Sequence, residues 1–134
     1  MKFSANLGFL WNDRPLPEAI RAAKSAGFDA VECHWPYDVP AEQTKAALVE
    51  TGLQMLGLNT RRGNTAIGEN GLAALAGREA DARAAIDEAL AYASAISTKA
   101  VHVMAGNTVA LVPGVPSVKT WTMLAIKPVT RQRS

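Results

Sequence analysis

Seven side chains able to bind or ionise against a ligand stand at or shortly after the ends of short apolar segments. They are Asn6, Glu32, His34, Asn59, Arg62, Glu69 and His102. Carboxylates and imidazoles exchange protons near neutral pH, amides hold substrate oxygens, and a guanidinium binds a carboxylate or phosphate through two hydrogen bonds. Glu32 and His34 are two positions apart, so on a β-strand both face one side. These residue types predict the wall of a binding or catalytic site.

Several candidates also have a purely structural interpretation. A single glutamate at a strand end is commonly solvated, and His102, between two valines, is typical of a hydrogen-bonded core histidine. Arg61 and Arg62 could simply face water as a solvated pair. Glu69 is the only carboxylate in its loop and is a weaker candidate than Glu32.

The elements that would position these residues alternate along the chain. Four short segments predict β-strands: Phe3 to Leu7, Asp29 to Cys33, Met55 to Asn59 and Ala100 to Met104. Helical patterns between them run from Pro17 to Gly27, from Pro40 to Gly52 and from Arg78 to about Ser97, with proline at two starts and glycine after two ends. The stripe of the third helix includes Leu90. This order is typical of parallel βαβ units.

The polarity of the residues on the two faces of the four strands distinguishes an open doubly wound sheet from part of a (β/α)₈ barrel. One face is wholly apolar: Phe3, Ala5, Leu7, Val31, Cys33, Leu56, Leu58, Val101 and Val103. The opposite face is polar near the strand ends: Ser4, Asn6, Glu32, His34, Gly57, Asn59 and His102 with Met104. A doubly wound sheet would be apolar on both faces, whereas a barrel places its chemistry at the C-terminal mouth. We therefore predict an α/β fold, a parallel half of a TIM barrel with about four strands and three helices.

Composition narrows the function classes. The 134 residues are enough for one domain, and no apolar run reaches the length of a membrane span, so we expect a cytoplasmic protein. Cys33 is the only cysteine, which excludes a disulfide within the chain and a multi-cysteine metal site. Residues 1–88 hold twelve acidic and nine basic residues, whereas the last 46 hold five basic residues and no acid. Because those basic residues are dispersed and carry little aromatic interleaving, we expect no nucleic-acid partner.

Five segments resemble the N-terminal half of the hydroxypyruvate isomerase family, within the xylose isomerase-like barrels: FSANLGFLW, AGFDAVECHWPYD, LGLNTRRGN, GENGLAALAGRE and AVHVMAG. The resemblance runs from Lys2 to Gly106. It implies a (β/α)₈ barrel that interconverts hydroxypyruvate and tartronate semialdehyde through an enediolate; similar proteins isomerise 2-oxo-tetronate. The positions that match the family pattern are Asn6, Glu32, Asn59, Glu69 and His102, and His34 is a looser match.

The resemblance also implies groups that this chain does not carry. The full-length family is expected to use a divalent metal, Mg²⁺ or Mn²⁺, and to place its metal ligands and catalytic carboxylates on strands five to eight. Residues 107–134 contain no acid. We therefore predict two regions: 1–106, the N-terminal half of the barrel, and 107–134, an irregular tail foreign to the family, from a shifted reading frame, a misjoined gene or an alternative end.

Three functions fit the sequence. The first is an isomerase acting on a small 2-oxo acid or hydroxy-aldehyde, truncated and without its catalytic residues. The second is an inactive half barrel that binds ligand without turnover or self-associates through the open edges of strands one and four. The third is a small basic binding module carried by the tail, which charge alone supports.

Overall fold

The computed structural model describes residues 1–107 and 122–124. In chain order the elements are β1 (Ser4–Asn6), α1 (Leu16–Ser25), β2 (Ala30–Glu32), α2 (Ala41–Thr51), β3 (Gln54–Met55), β4 (Gly57–Asn59), a 3₁₀ turn (Thr65–Ile67), α3 (Glu79–Ala95), β5 (Ala100–Val103) and β6 (Thr122–Leu124).

Strands β1 to β5 run parallel in two short sheets, and the helices pack against them. β1 pairs with β2 and β2 with β3, while β4 pairs with β5, all in parallel. Backbone bonds beyond the end of β2 join the two groups, since Cys33 N donates to Gly57 O at 3.1 Å and Asn59 N donates to His34 O at 2.8 Å. The predicted partial (β/α) barrel is confirmed.

The three predicted helices form where proline and glycine place their ends. Proline lies in the first turn of α1, and Gly27 follows its end with φ +89°. Pro40 precedes α2, and Gly52 ends it with φ +68°, a conformation that costs glycine little. α3 begins with Glu79 and Asp81, which favour the positive end of the helix dipole. No helix in the described ranges is long and apolar enough to cross a bilayer.

The core lies between the strands and the helices. Its largest fully buried apolar side chains are Ile20, Met55, Leu58, Val31 and Val101. α3 contributes Tyr92 and small alanines, whereas Leu90, predicted in its stripe, is 39% exposed. Tyr92 can replace it because its hydroxyl is satisfied, lying 2.8 Å from the Thr44 hydroxyl and donating to Val39 O at 2.9 Å.

The third predicted strand contains one extra residue that reverses its faces. Met55, on β3, is 1% exposed in the core, and Leu58, on β4, is also in the core, three positions later. Leu56 lies between the two strands and lines the opposite side of the sheet. Its predicted place on the helix side was therefore wrong, because a bulge-like insertion shifts the alternation by one. Phe3, predicted to be covered by helices, is 58% exposed before β1 begins.

A short strand from the predicted tail covers one edge of the sheet. β6 runs antiparallel to β5, with Leu124 opposite Val101 and Thr122 opposite Val103. The fourth predicted strand is β5, so the prediction that it has an open edge was wrong. The first predicted strand, β1, pairs in the described residues with β2 alone, so its other edge has no strand beside it there. The division of the chain at residue 106 stays a prediction.

Candidate functional site

Six of the seven predicted site residues line a single cavity of about 910 Å³ on the polar face of the sheet: Asn6, Glu32, His34, Asn59, Arg62 and His102. The strand register explains why they meet. Asn6 lies opposite Glu32 on paired strands, and Asn59 lies opposite His102. All six are half-buried. The predicted polar layer therefore lies on one side of the sheet, although the role of each residue stays a prediction.

Hydrogen bonds fix the side-chain amides of two residues in this layer, Asn59 and Asn6. The Asn59 Oδ1 atom lies 3.2 Å from His102 Nδ1, so the amide and the imidazole orient each other across two strands. Asn6 Oδ1 accepts a hydrogen bond from Gly8 N at 2.9 Å, which holds the chain in a tight turn after β1. Both side chains can present their remaining polar atoms to a ligand without first giving up rotational freedom.

The ring of His34 is held between a glycine and two aromatic rings. A Cβ at Gly8 would lie only 2.2 to 2.4 Å from three atoms of the His34 ring, so the ring occupies space that only glycine leaves. Phe9 and Trp35 pack edge-on against it with ring centroids 5.0 and 5.1 Å away. These contacts set the position of His34 in the cavity wall.

The pKa of His34 is lowered below its ordinary 6.5, chiefly by burial, while Glu32 acts in the opposite direction and Arg62 and His102 add to the lowering. We expect an NMR titration of the His34 Cε1 proton with a midpoint below 6.5. Because the folded chain binds fewer protons than the unfolded chain in this window, the contribution of His34 to stability is present above about pH 6.5 and is lost as the pH falls toward the folded pKa. A midpoint at or above 6.5 contradicts this environment.

Arg62 is held by two uncharged neighbours. Its guanidinium carbon lies 4.6 Å from the centroid of the Trp35 ring, and its Nε donates to Asn70 Oδ1 at 2.9 Å. The Trp35 indole nitrogen in turn donates to Met104 Sδ at 3.4 Å. Arg61 differs, because two of its nitrogens bind the carboxylate of Glu88 at 2.7 and 3.0 Å and its guanidinium lies over Tyr37.

Glu69 is the predicted site residue that the structure does not bring into the cavity. Its carboxylate binds Arg78 and accepts a hydrogen bond from Asn64 N at 2.6 Å, both within the loop between β4 and α3. The side chain is only 11% exposed. In this conformation Glu69 shapes the loop.

Comparison with known proteins agrees with this architecture. The sequence profile described as xylose isomerase-like TIM barrel matches residues 20–126. The chain belongs to this family. A Haemophilus influenzae protein named 2-oxo-tetronate isomerase is 46% identical over 103 residues, which cover 77% of this chain and 40% of that protein. A Danio rerio relative, whose name ascribes hydroxypyruvate isomerase activity to it, is 43% identical over 108 residues, 80% of this chain and 39% of its own length.

A solved structure shares the same portion of the barrel. The crystal structure titled AP endonuclease, family 2, from Brucella melitensis superposes with a TM-score of 0.73 at 39% identity, covering 78% of this chain and 41% of that one. This xylose isomerase-like chain thus spans about 40% of the length of the curated relatives it matches.

Sequence reasoning missed several residues of the site. Gly8 and Phe9 after β1, Trp35 after His34, and Asn70 all line the cavity. An aromatic residue directly after a strand-end histidine was an available signal for Trp35. No local pattern marks Gly8 or Asn70, because their roles arise from contacts between segments that are far apart in sequence.

The family is one in which a metal is expected, and the described residues do not form a ligand set for it. No group of three or more His, Cys, Asp or Glu side chains converges to hold a metal within residues 1–107 and 122–124. Glu32, His34 and His102 share the cavity without forming such a group.

Proposed function

We propose that this chain forms the substrate-binding wall of an isomerase that interconverts hydroxypyruvate and tartronate semialdehyde. The carrying observation is the half-buried carboxylate of Glu32 in one cavity with the amides of Asn6 and Asn59 and two imidazoles. Such a wall offers an acceptor for a substrate hydroxyl and donors for two neighbouring oxygens. The names of the Danio rerio and Haemophilus influenzae relatives support the same reaction class.

The reaction moves one proton between adjacent carbons. A base removes a proton from C3 of hydroxypyruvate, and the electron pair forms the C2–C3 double bond of an enediolate as the C2 carbonyl becomes an anionic oxygen. The proton of the C3 hydroxyl passes to the C2 oxygen, and the proton returned to C2 leaves a hydroxyl at C2 and the aldehyde at C3. We assign Glu32 to the substrate hydroxyl, and we assign neutral His34 and the Asn59 amide to the enediolate oxygens. No proton-removing base is assigned among the described residues.

A divalent cation, Mg²⁺ or Mn²⁺, would stabilise the enediolate oxygens in such an isomerase. The described residues form no ligand set for it. The binding steps assigned to Glu32, His34 and Asn59 do not require it.

We propose 2-oxo-tetronate as an alternative substrate, supported by the 46% identity to the Haemophilus influenzae protein named for it. A cavity of about 910 Å³ has room for its additional carbon. Both acids carry the carboxylate and the C2 ketone, and the extra carbon of 2-oxo-tetronate is bonded to C3 on the side opposite the carboxylate, so the same carboxylate and ketone contacts serve both. We propose a cytoplasmic location for this activity, with the free thiol of Cys33 suited to a reducing compartment.

A binding-only half barrel that self-associates is the alternative function. The observation that favours it is the edge of β1, which in the described residues has β2 on one side only. Exposed strand edges pair readily with a second chain.

We propose no nucleic-acid partner, since Arg21, Arg61 and Arg78 are ion-paired with carboxylates and so are less available to phosphates.

Two measurements test the proposal. Hydroxypyruvate is titrated into the ¹⁵N-labelled chain to detect binding, and the exchange of its C3 protons for deuterium is followed in D₂O with added Mg²⁺ or Mn²⁺. We expect binding shifts at Asn6, Glu32 and Asn59. Glu32→Gln should weaken binding by about tenfold or more, because a charged acceptor is lost. The matched control is Glu50→Gln, whose carboxylate pairs with Arg21 at 2.8 Å on an exposed helix surface.

The outcomes separate the alternatives. Catalysed exchange shows that the chain itself removes the C3 proton, and binding without exchange identifies it as the binding wall alone. Absence of binding, or equal affinities for the Glu32→Gln and Glu50→Gln variants, overturns the proposal. Size-exclusion chromatography across a dilution series tests self-association in the same samples.

A further inference from the structure

We propose that Arg62 is the receptor for the substrate carboxylate, and that it makes the cavity selective for 2-oxo acids over neutral hydroxyketones of the same shape. This inference rests on the proposed function and deepens it by naming the group that recognises the acid.

The first support is the contrast between Arg62 and three other arginines of the chain. Arg21, Arg61 and Arg78 each bind a carboxylate of the protein. Within the described residues Arg62 has no ion-pair partner, and only its Nε is engaged, by the neutral oxygen of Asn70. Its two terminal nitrogens therefore remain to form the paired hydrogen bonds that a guanidinium makes with a carboxylate.

The second support is the position of the guanidinium. Arg62 lines the cavity that holds Glu32, His34 and Asn59, and it also lines a second groove of about 630 Å³. Trp35 lines both as well, so the stacked pair forms the partition between them. An anion in the cavity can thus reach Arg62 while its reacting carbons lie beside the polar layer.

The third support is the way Arg62 is held. The flat guanidinium lies over the Trp35 ring at 4.6 Å, Trp35 is fixed by Met104 Sδ at 3.4 Å, and Asn70 holds Nε at 2.9 Å. A cation stacked on an indole loses little rotational freedom when it binds an anion. Trp35 and Asn70 are positioning residues in this arrangement.

The charge of Arg62 also fits the surrounding groups. It helps to keep the pKa of His34 low, so the imidazole is neutral and does not compete for the carboxylate. Glu32 supplies the negative charge of the cavity. Its carboxylate repels the carboxylate of the substrate, so the acid end of the substrate is disfavoured beside Glu32. The two charges therefore orient a 2-oxo acid with its carboxylate toward Arg62 and its hydroxyl toward Glu32.

The test compares two ligands and three variants by calorimetry or NMR titration of the whole chain. Hydroxypyruvate and dihydroxyacetone share a ketone and a hydroxymethyl group and differ in the carboxylate. Arg62→Gln should weaken hydroxypyruvate binding by about tenfold to a hundredfold and change dihydroxyacetone binding less than about twofold. Arg62→Lys should give an intermediate loss, because the charge remains and the paired geometry is lost.

Arg61→Gln is the matched control, since it removes an equal charge from the adjacent residue, which is paired with Glu88. It should leave both affinities unchanged. Thermal melts of all variants confirm that they are folded.

The inference is overturned when wild type does not bind hydroxypyruvate, when Arg62→Gln leaves its affinity unchanged, or when the loss is equal for both ligands. Selective loss in Arg62→Gln alongside an unaffected Glu32→Gln variant overturns the proposed function and leaves this inference standing. Loss of binding in Glu32→Gln with no effect in Arg62→Gln overturns this inference and leaves the proposed function standing.

Discussion

Gly71→Ala is expected to destabilise the chain by about 3 kcal/mol and to detach the loop between β4 and α3 from the end of β5. Gly71 has φ +116°, and a Cβ there would lie 2.5 to 2.6 Å from backbone atoms of Gly106 and Met104. Left-handed strain and displaced backbone pairing both contribute to the cost. Urea denaturation measures it, and hydrogen exchange at Leu72 and Ala74 reports the loop, because their amides donate to Met104 O at 3.1 Å and Ala105 O at 2.8 Å.

Gly68→Ala is the matched control for that substitution. Gly68 also has a left-handed φ, +85°, but a Cβ added there would have no other atom within 4 Å. The substitution should cost only the backbone strain, about 1 kcal/mol, and leave the exchange at Leu72 and Ala74 unchanged. Equal costs for the two variants contradict a tight approach between Gly71 and the segment that follows β5, at Met104 and Gly106.

Gly8→Ala is expected to drive the His34 ring out of the cavity wall and to weaken hydroxypyruvate binding by about tenfold or more. The new methyl would overlap three ring atoms at 2.2 to 2.4 Å, so the ring must leave its place against Phe9 and Trp35. Each lost aromatic contact is worth roughly 0.5 to 1.5 kcal/mol. Since burial is the main cause of the low His34 pKa, the NMR titration midpoint should rise toward 6.5.

Gly57→Ala provides the comparison from the same cavity. The nearest atom to a Cβ at Gly57 is Ala100 O at 3.9 Å, an ordinary contact, and its φ is not left-handed. The His34 titration should therefore stay as in wild type. A rise in both variants, or in neither, removes the proposed role of Gly8.

The polar layer was predictable because it depends on local rules. Strand alternation places Glu32 and His34 on one face, and the parallel arrangement brings Asn6 and Asn59 to the same end of the sheet. Proline and glycine likewise mark helix ends, so all three helices follow from the sequence. The place of Leu56 did not follow, because one extra residue in a strand leaves no trace in a short apolar segment.

Contacts between distant segments account for the remaining differences. Glu69 lies with Arg78 outside the cavity, and a loop carboxylate gives no local sign of which arginine it will meet. Tyr92 is buried in place of Leu90 because two partners from α2 and the segment before it satisfy its hydroxyl. The pairing of β6 with β5 likewise depends on an edge that only the assembled sheet presents.

The single thiol lies where it can report on the opening of the core. Cys33 is 6% exposed among the packed apolar side chains, and burial, with a smaller effect from Glu32, raises the pKa of its thiol to about 12. In the closed state it is almost wholly protonated and shielded from reagents. The rate at which an alkylating agent labels the native chain therefore measures how often the packing around Cys33 opens, without any introduced probe.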